Sequence, residues 1–333
     1  MLASYCEYGI KMMIVAVQSN LKILAAKLGS EVISGEIFSN IDSLVQTLPP
    51  LSNALLECRL AANQSQVDFS TIVFNPDVHL PQHFLNYPVW KRLQDICWEW
   101  CISDSFLNQR LMEIGLEFDV DGRISDIPNP GIFLVLNLDV NWNHQLLLEM
   151  AKRLLGEQKI TPQISKNIQI CFDTLPEGAK IICVAAMLSR WSDILRLNVN
   201  GLLHHQISHY LVDIGWTGDV DELDEVIKNI SPFIDNIVLS YDMGDRVLPR
   251  IGLECYLLGL PQHNKRWYSF YNYLISQGLC SSDKSKAVLA WPEFSKQDKS
   301  ANYTLCTKIV YQPGLPLEAK AYMGFWPYRD VGV

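Results

Sequence analysis

The sequence predicts an α/β fold: a closed antiparallel β-barrel of repeated helix–strand–strand–helix units, with helices outside and a polar lumen within. Three observations point to it. Pairs of period-two segments recur with short connections, which makes each pair an antiparallel hairpin. Helical segments fall between successive pairs, an order that fits neither a doubly wound sheet nor a sandwich. One face of nearly every strand is apolar while the opposite face is rich in charged and polar side chains. An open sheet with water on one side satisfies the same alternation. Closure, however, removes the edges that eight or ten open strands would leave, and interleaved helices suit a barrel better.

Taken in order, the first seventy or so residues read as helical, with apolar residues at helical spacing through Val32–Leu48 and Leu51–Leu60. Residues 1–75 are therefore expected to form a helical segment packed on a barrel domain of residues 76–333. A further helix is expected over Tyr87–Met112, whose Trp90, Trp98 and Trp100 would pack against the outside of the sheet. Gly115–Val120 then pairs with Gly131–Asp139 across a turn-rich DGRISDIPNP, and helices follow over Asn143–Leu155 and Ile164–Thr174. The second pair is Lys180–Arg190 with Ile194–Gly201, followed by helices Leu202–Ile214 and Val220–Ile230. The third is Asn236–Asp242 with Arg250–Leu257, followed by a helix over Arg266–Ser276, and the last joins Thr307–Gln312 to Glu318–Phe325. That makes four clear hairpins; a fifth would have to come from Ile10–Val17 and Phe69–Phe74.

The chain has 333 residues, 49% of them hydrophobic, so a large core is affordable and disorder is excluded. A formal net charge of −9 without a basic cluster argues against a nucleic-acid partner. Charged and amide residues interrupt the N-terminal apolar stretch, so neither a spanning helix nor a signal peptide is read there. The nine scattered cysteines suggest reduced thiols, and the expected compartment is the cytoplasm.

The polar strand face reads Glu117 and Asp119; Arg196, Asn198 and Asn200; Ser240 and Asp242; Arg250, Glu254 and Tyr256; Lys308 and Gln312; Glu318, Lys320 and Tyr322. Such residues also serve as ordinary cross-strand pairs on a solvated sheet. Their recurrence across most strands is what suggests a lumen with a chemical task. The architecture resembles the ABBA-type (αββα barrel) prenyltransferases, over residues 105–326. Three stretches carry the resemblance: GLEFDV at 115–120, VLSYDMGDRVLPRIGLECYLLG at 238–259 and EAKAYMGF at 318–325. The first is similar to the family's first-strand segment, whose glutamate binds the acceptor's N–H, and Glu117 stands at that place. The last carries the Lys-x-Tyr alternation used to hold diphosphate. Departures are visible. GIFLVLNLD has no basic residue, and Arg196-x-Asn198-x-Asn200 and Arg250-x-Gly252-x-Glu254-x-Tyr256 are incomplete forms of the alternation.

The resemblance implies transfer of an allylic isoprenoid from its diphosphate to an aromatic or peptide acceptor. Arg196, Lys308 and Lys320 would hold the diphosphate, with Asn198 and Arg250 completing the substrate-binding set. Tyr256 and Tyr322 would shield the allylic cation. Glu117, Glu254 and Asp119 are the candidate bases, with confinement beside other carboxylates raising a pKa and nearby cations lowering it. No cofactor is required; Mg2+ could accompany the diphosphate, although no motif implies it. The alternative is a non-catalytic protein using the same concavity to hold a peptide or small polar ligand. Other motifs carry less. His205 and His209 share a helical face without a third ligand, and Cys97 and Cys101 read as small buried hydrophobes. No phosphate-binding loop, dinucleotide fingerprint or nucleophile elbow is present.

Overall fold

Ten strands pair antiparallel in one ring, each with its sequence neighbours and the first with the last, so the barrel is closed. They are β1 Ala54–Arg59, β2 Val67–Val73, β3 Leu111–Phe118, β4 Gly131–Leu136, β5 Lys180–Ala186, β6 Leu195–Asn200, β7 Asn236–Met243, β8 Val247–Tyr256, β9 Ala301–Tyr311 and β10 Glu318–Pro327. The structure, a computed structural model, describes residues 21, 28–48, 53–73, 80–120, 127–190, 193–291 and 301–327, with backbone alone at 301–303 and 325–327.

The fifth hairpin is β1–β2. The helix expected over Leu51–Leu60 is, at 54–59, a strand that pairs with β10 from Ala54↔Phe325 to Arg59↔Lys320. In ALLECR, Leu56 and Cys58 face the packed outer layer, while Glu57 and Arg59 line the lumen. The short apolar run imitates a helix because such runs fit both periods. Residues 54–73 are thus barrel wall, and a division at residue 75 separates two strands from the ring they complete. Ile10–Val17 lies outside the described residues.

Side chains at the N-caps start several of the outer helices: Ser34 accepts from the Ile37 N–H, Asn143 from Leu146, Thr161 from Ile164, Asp219 from Glu222 and Ser281 from Lys284. These helices bury their apolar stripes on the outward strand faces, where Phe69, Phe118, Leu134, Leu197, Leu239 and Leu253 are fully covered. Trp90 packs against Phe84 and Phe118 and donates to the Pro128 carbonyl. Trp100 packs half-buried on the core, but Trp98, expected beside them, is 47% exposed. The helix Pro88–Cys101 turns that side of its surface to solvent.

Candidate functional site

Because side chains alternate across a strand, the register that sends leucines outward sends the polar set inward. The lumen holds two adjoining spaces that share lining residues. A polar chamber of about 1170 Å³ is lined by Glu57, Arg59, Glu117, Asp119, Arg190, Arg196, Asp242, Arg250, Lys308, Glu318, Lys320 and Tyr322, among others. A mostly apolar chamber of about 500 Å³ is lined by Leu55, Ile72, Phe133, Asn198, Glu254, Tyr256, Leu305 and Cys306, among others. Glu117, Arg196, Lys308 and Tyr322 line both spaces and form the waist between them. All ten of the side chains expected at the site therefore face this lumen.

The cations form a row that is unusual for a sheet. Arg59 faces Lys320 across β1 and β10, and Lys320 faces Lys308 across β10 and β9. Like charges directly opposite destabilise a pair of strands unless an anion lies between them. Here Glu57 supplies it: its Oε1 is 2.5 Å from Lys320 Nζ and 3.0 Å from Arg59 Nη1. Arg59 also meets Asp68 at 2.7 Å and Glu318 at 2.9 Å. Lys308 is 3.2 Å from Glu254 and lies 5.9 Å from the centre of the Tyr322 ring. Arg196 grips Asp242 with two bonds of 2.8 and 3.0 Å, Arg190 meets Asp119 at 2.6 Å, and Arg250 meets Glu318 at 3.1 Å on the rim. Each of these six cations thus has a carboxylate within 3.2 Å.

Glu117 is the carboxylate left outside this pairing. Its nearest cation among the described residues is Arg190, at 3.9 Å. Burial first, and then the negative charge of Glu57, push its pKa up to about 7. Glu57 shows the opposite balance: burial would raise its pKa, but Lys320, Arg59 and Lys308 outweigh burial and hold it far below the ordinary carboxylate range. Asp119 is also lowered, because its hydrogen bond and charge contact with Arg190 overcome burial. Of the three candidate bases, Asp119 is therefore held ionised by an arginine fork, whereas Glu117 titrates near neutrality. Glu254 sits in the apolar chamber and accepts from Lys308 and, at 3.4 Å each, from Asn198 Nδ2 and the Tyr256 hydroxyl. The Asn198 Oδ1 is buried and has no partner among the described residues.

The GLEF of the GLEFDV stretch closes β3, in the second hairpin, so the place of Glu117 is not on the first strand; the lumen carboxylate of the first strand is Glu57. Glu57 and Arg59, missed because their segment reads as helix, are signalled only by alternation within ALLECR. Of the paired histidines, His209 Nδ1 contacts the His205 carbonyl, and no cluster of three metal-ligating groups occurs among the described residues. Cys97 is buried, and burial raises its thiol to about 12, as a packing residue requires.

No protein-family model matches the chain, and no curated protein matches it. Solved structures do. The 5-dimethylallyltryptophan synthase of Streptomyces coelicolor is 13% identical, with 92% of this chain and 95% of that one aligned at a TM-score of 0.52. The prenyltransferase PriB in its apo form is 12% identical over 94% and 99% of the two chains, with a TM-score of 0.53. PriB in a ternary complex with L-tryptophan and dimethylallyl thiolodiphosphate aligns over 95% and 99% at 12% identity and a TM-score of 0.50. The likeness is architectural: the chain has the ten-stranded barrel of the ABBA-type prenyltransferases.

Proposed function

We propose that the chain transfers an allylic prenyl group from its diphosphate to an aromatic or peptide acceptor. The observation that carries this reading is the waist. A carboxylate titrating near 7, Glu117, stands where a cation-lined chamber meets an apolar one. In this scheme the diphosphate lies against Lys320, Lys308 and Arg196, whose donors stabilise the charge that develops as the allylic C–O bond breaks. The allylic cation is left at the waist beside the Tyr322 ring, which already accepts the Lys308 ammonium. The acceptor enters from the apolar side, which Phe133, Asn198, Glu254 and Tyr256 help to line. Its nucleophilic atom forms the new bond to the allylic carbon, and its surplus proton passes to the ionised Glu117. Fold likeness supports this scheme only as far as the barrel, since one barrel can host unrelated chemistries.

One observation favours the competing reading, a holder of a peptide or polar small ligand without chemistry: every cation facing the polar chamber is already matched by a carboxylate. Thermal shift separates the two. Dimethylallyl, geranyl and farnesyl diphosphates should raise the melting temperature by several degrees in a chain-length-dependent way, through binding to the native state. Alanine at Lys320 or Arg196 should abolish the shift. No response to any diphosphate, beside a response to peptides, removes the transferase reading.

A further inference from the structure

We propose that Glu57 is a built-in anion occupying the seat that the donor's diphosphate would take, so that anion affinity in the lumen is set by competition with this side chain. The inference rests on the reading of the cation row as a diphosphate site. Arg59, Lys320 and Lys308 stand opposite one another on three adjacent strands, and all three are buried, at 7–8% exposure. A row of this kind calls for a multivalent anion, because three cations in register repel one another. What two of the three hold is Glu57, 4% exposed, bonded at once to Lys320 Nζ and Arg59 Nη1, while Lys308 is held by Glu254 at 3.2 Å from the side of the apolar chamber.

The rest of the surround makes the competition local. Glu318, on the β10 side, contacts both Arg59 and Lys320 but is 22% exposed and shared with Arg250, so it can turn toward the rim. Asp68 also grips Arg59, at 2.7 Å, yet it is not among the residues lining the chamber. Only Glu57, of these three, projects into the chamber with its carboxylate fully engaged by the row. A diphosphate must displace that carboxylate from two cations or lie against its charge. Either way the protein carries an affinity penalty that a neutral side chain at position 57 would lift.

Calorimetric titration of inorganic diphosphate into the full chain tests this, comparing wild type with Glu57→Gln and Asp68→Asn. The Asp68 variant removes one negative charge from the same arginine without opening the chamber. The expected result is binding at least about tenfold tighter in Glu57→Gln than in wild type, with Asp68→Asn changed by less than about threefold. Glu57→Ala, which removes volume as well as charge, replaces the Gln variant should circular dichroism show that the latter is unfolded. Wild type that binds diphosphate while Glu57→Gln binds equally or more weakly overturns the inference and leaves the donor site standing. Equal gains in Glu57→Gln and Asp68→Asn overturn it too, since charge alone then suffices. Absence of binding in all three proteins removes the donor site, and the competition with it.

Discussion

Glu117 holds its proton over a pH range in which the unfolded chain has already released it. Its folded pKa of about 7 stands above the ordinary 4.5, so between those values the native state binds more protons than the unfolded state. Stability then falls as pH rises through that window. The contribution is fully present below pH 4.5 and lost above pH 7, and its size is up to about 3 kcal/mol. Glu117→Gln, which mimics the protonated form, should therefore be more stable than wild type at pH 8 by an amount of that order. The two should converge near pH 5. Urea unfolding at the two pH values checks this, and a wild-type profile parallel to that of the variant would refute the assignment. Glu57 works in the other sense. Its lowered pKa gives stability above the ordinary carboxylate range that is lost on acidification, so the two glutamates bound the stable window from opposite sides.

At the scale of elements, the loop joining β1 and β2 forms part of the polar chamber's lining and is clasped from outside. Lys284, 3% exposed on the helix Ser282–Ala290, donates to the carbonyls of Arg59 and Ala61 at 2.8 Å each, and to that of Gln64. Burial lowers its pKa, and these carbonyls supply the polar partners that a buried ammonium needs. Lys284→Met keeps the stem but strips the loop of its donor. It should cost about 2 kcal/mol, read as a lower urea midpoint at unchanged slope.

The same hairpin shows where sequence reading ends. The later strands are legible because Leu195, Leu197 and Val199 alternate cleanly with Arg196, Asn198 and Asn200, and turn residues bracket them. Those inward residues locate the lumen directly. β1 offers only ALLECR, in which Ala54, Leu55 and Leu56 fall in one unbroken apolar run, so the period-two signal rests on Glu57 and Arg59 alone. What alternation cannot convey is pairing. That Arg196 would be held by Asp242 follows from the register of β6 against β7, a property of two segments at once. The near-neutral titration of Glu117 similarly depends, after its burial, on the charge of Glu57, 60 residues earlier in the chain.

For the whole molecule, closure by β1 means that no half of the ring is self-sufficient. A chain beginning at residue 76 lacks β1 and β2. It would expose the free edges of β3 and β10 and uncover the layer that Leu56, Cys58, Val67 and Phe69 fill. Such a truncation should fail to give a cooperative thermal transition and should elute as aggregate, whereas a separable helical segment would leave a folded barrel behind. Size-exclusion chromatography and circular dichroism decide between these outcomes.

Pairing of the first strand with the last also sets a timetable for biosynthesis. Residues 54–59 leave the ribosome long before residues 318–327 exist to cover them. At typical elongation rates of about 5–20 residues per second, β1 waits on the order of ten seconds to a minute with one edge unpaired. The nascent chain must pass that interval with a sticky border on β1, and the ring locks only once β10 has been made. Synonymous slowing of the codons between β1 and β10 would lengthen the wait and lower the yield of soluble protein without altering a single residue.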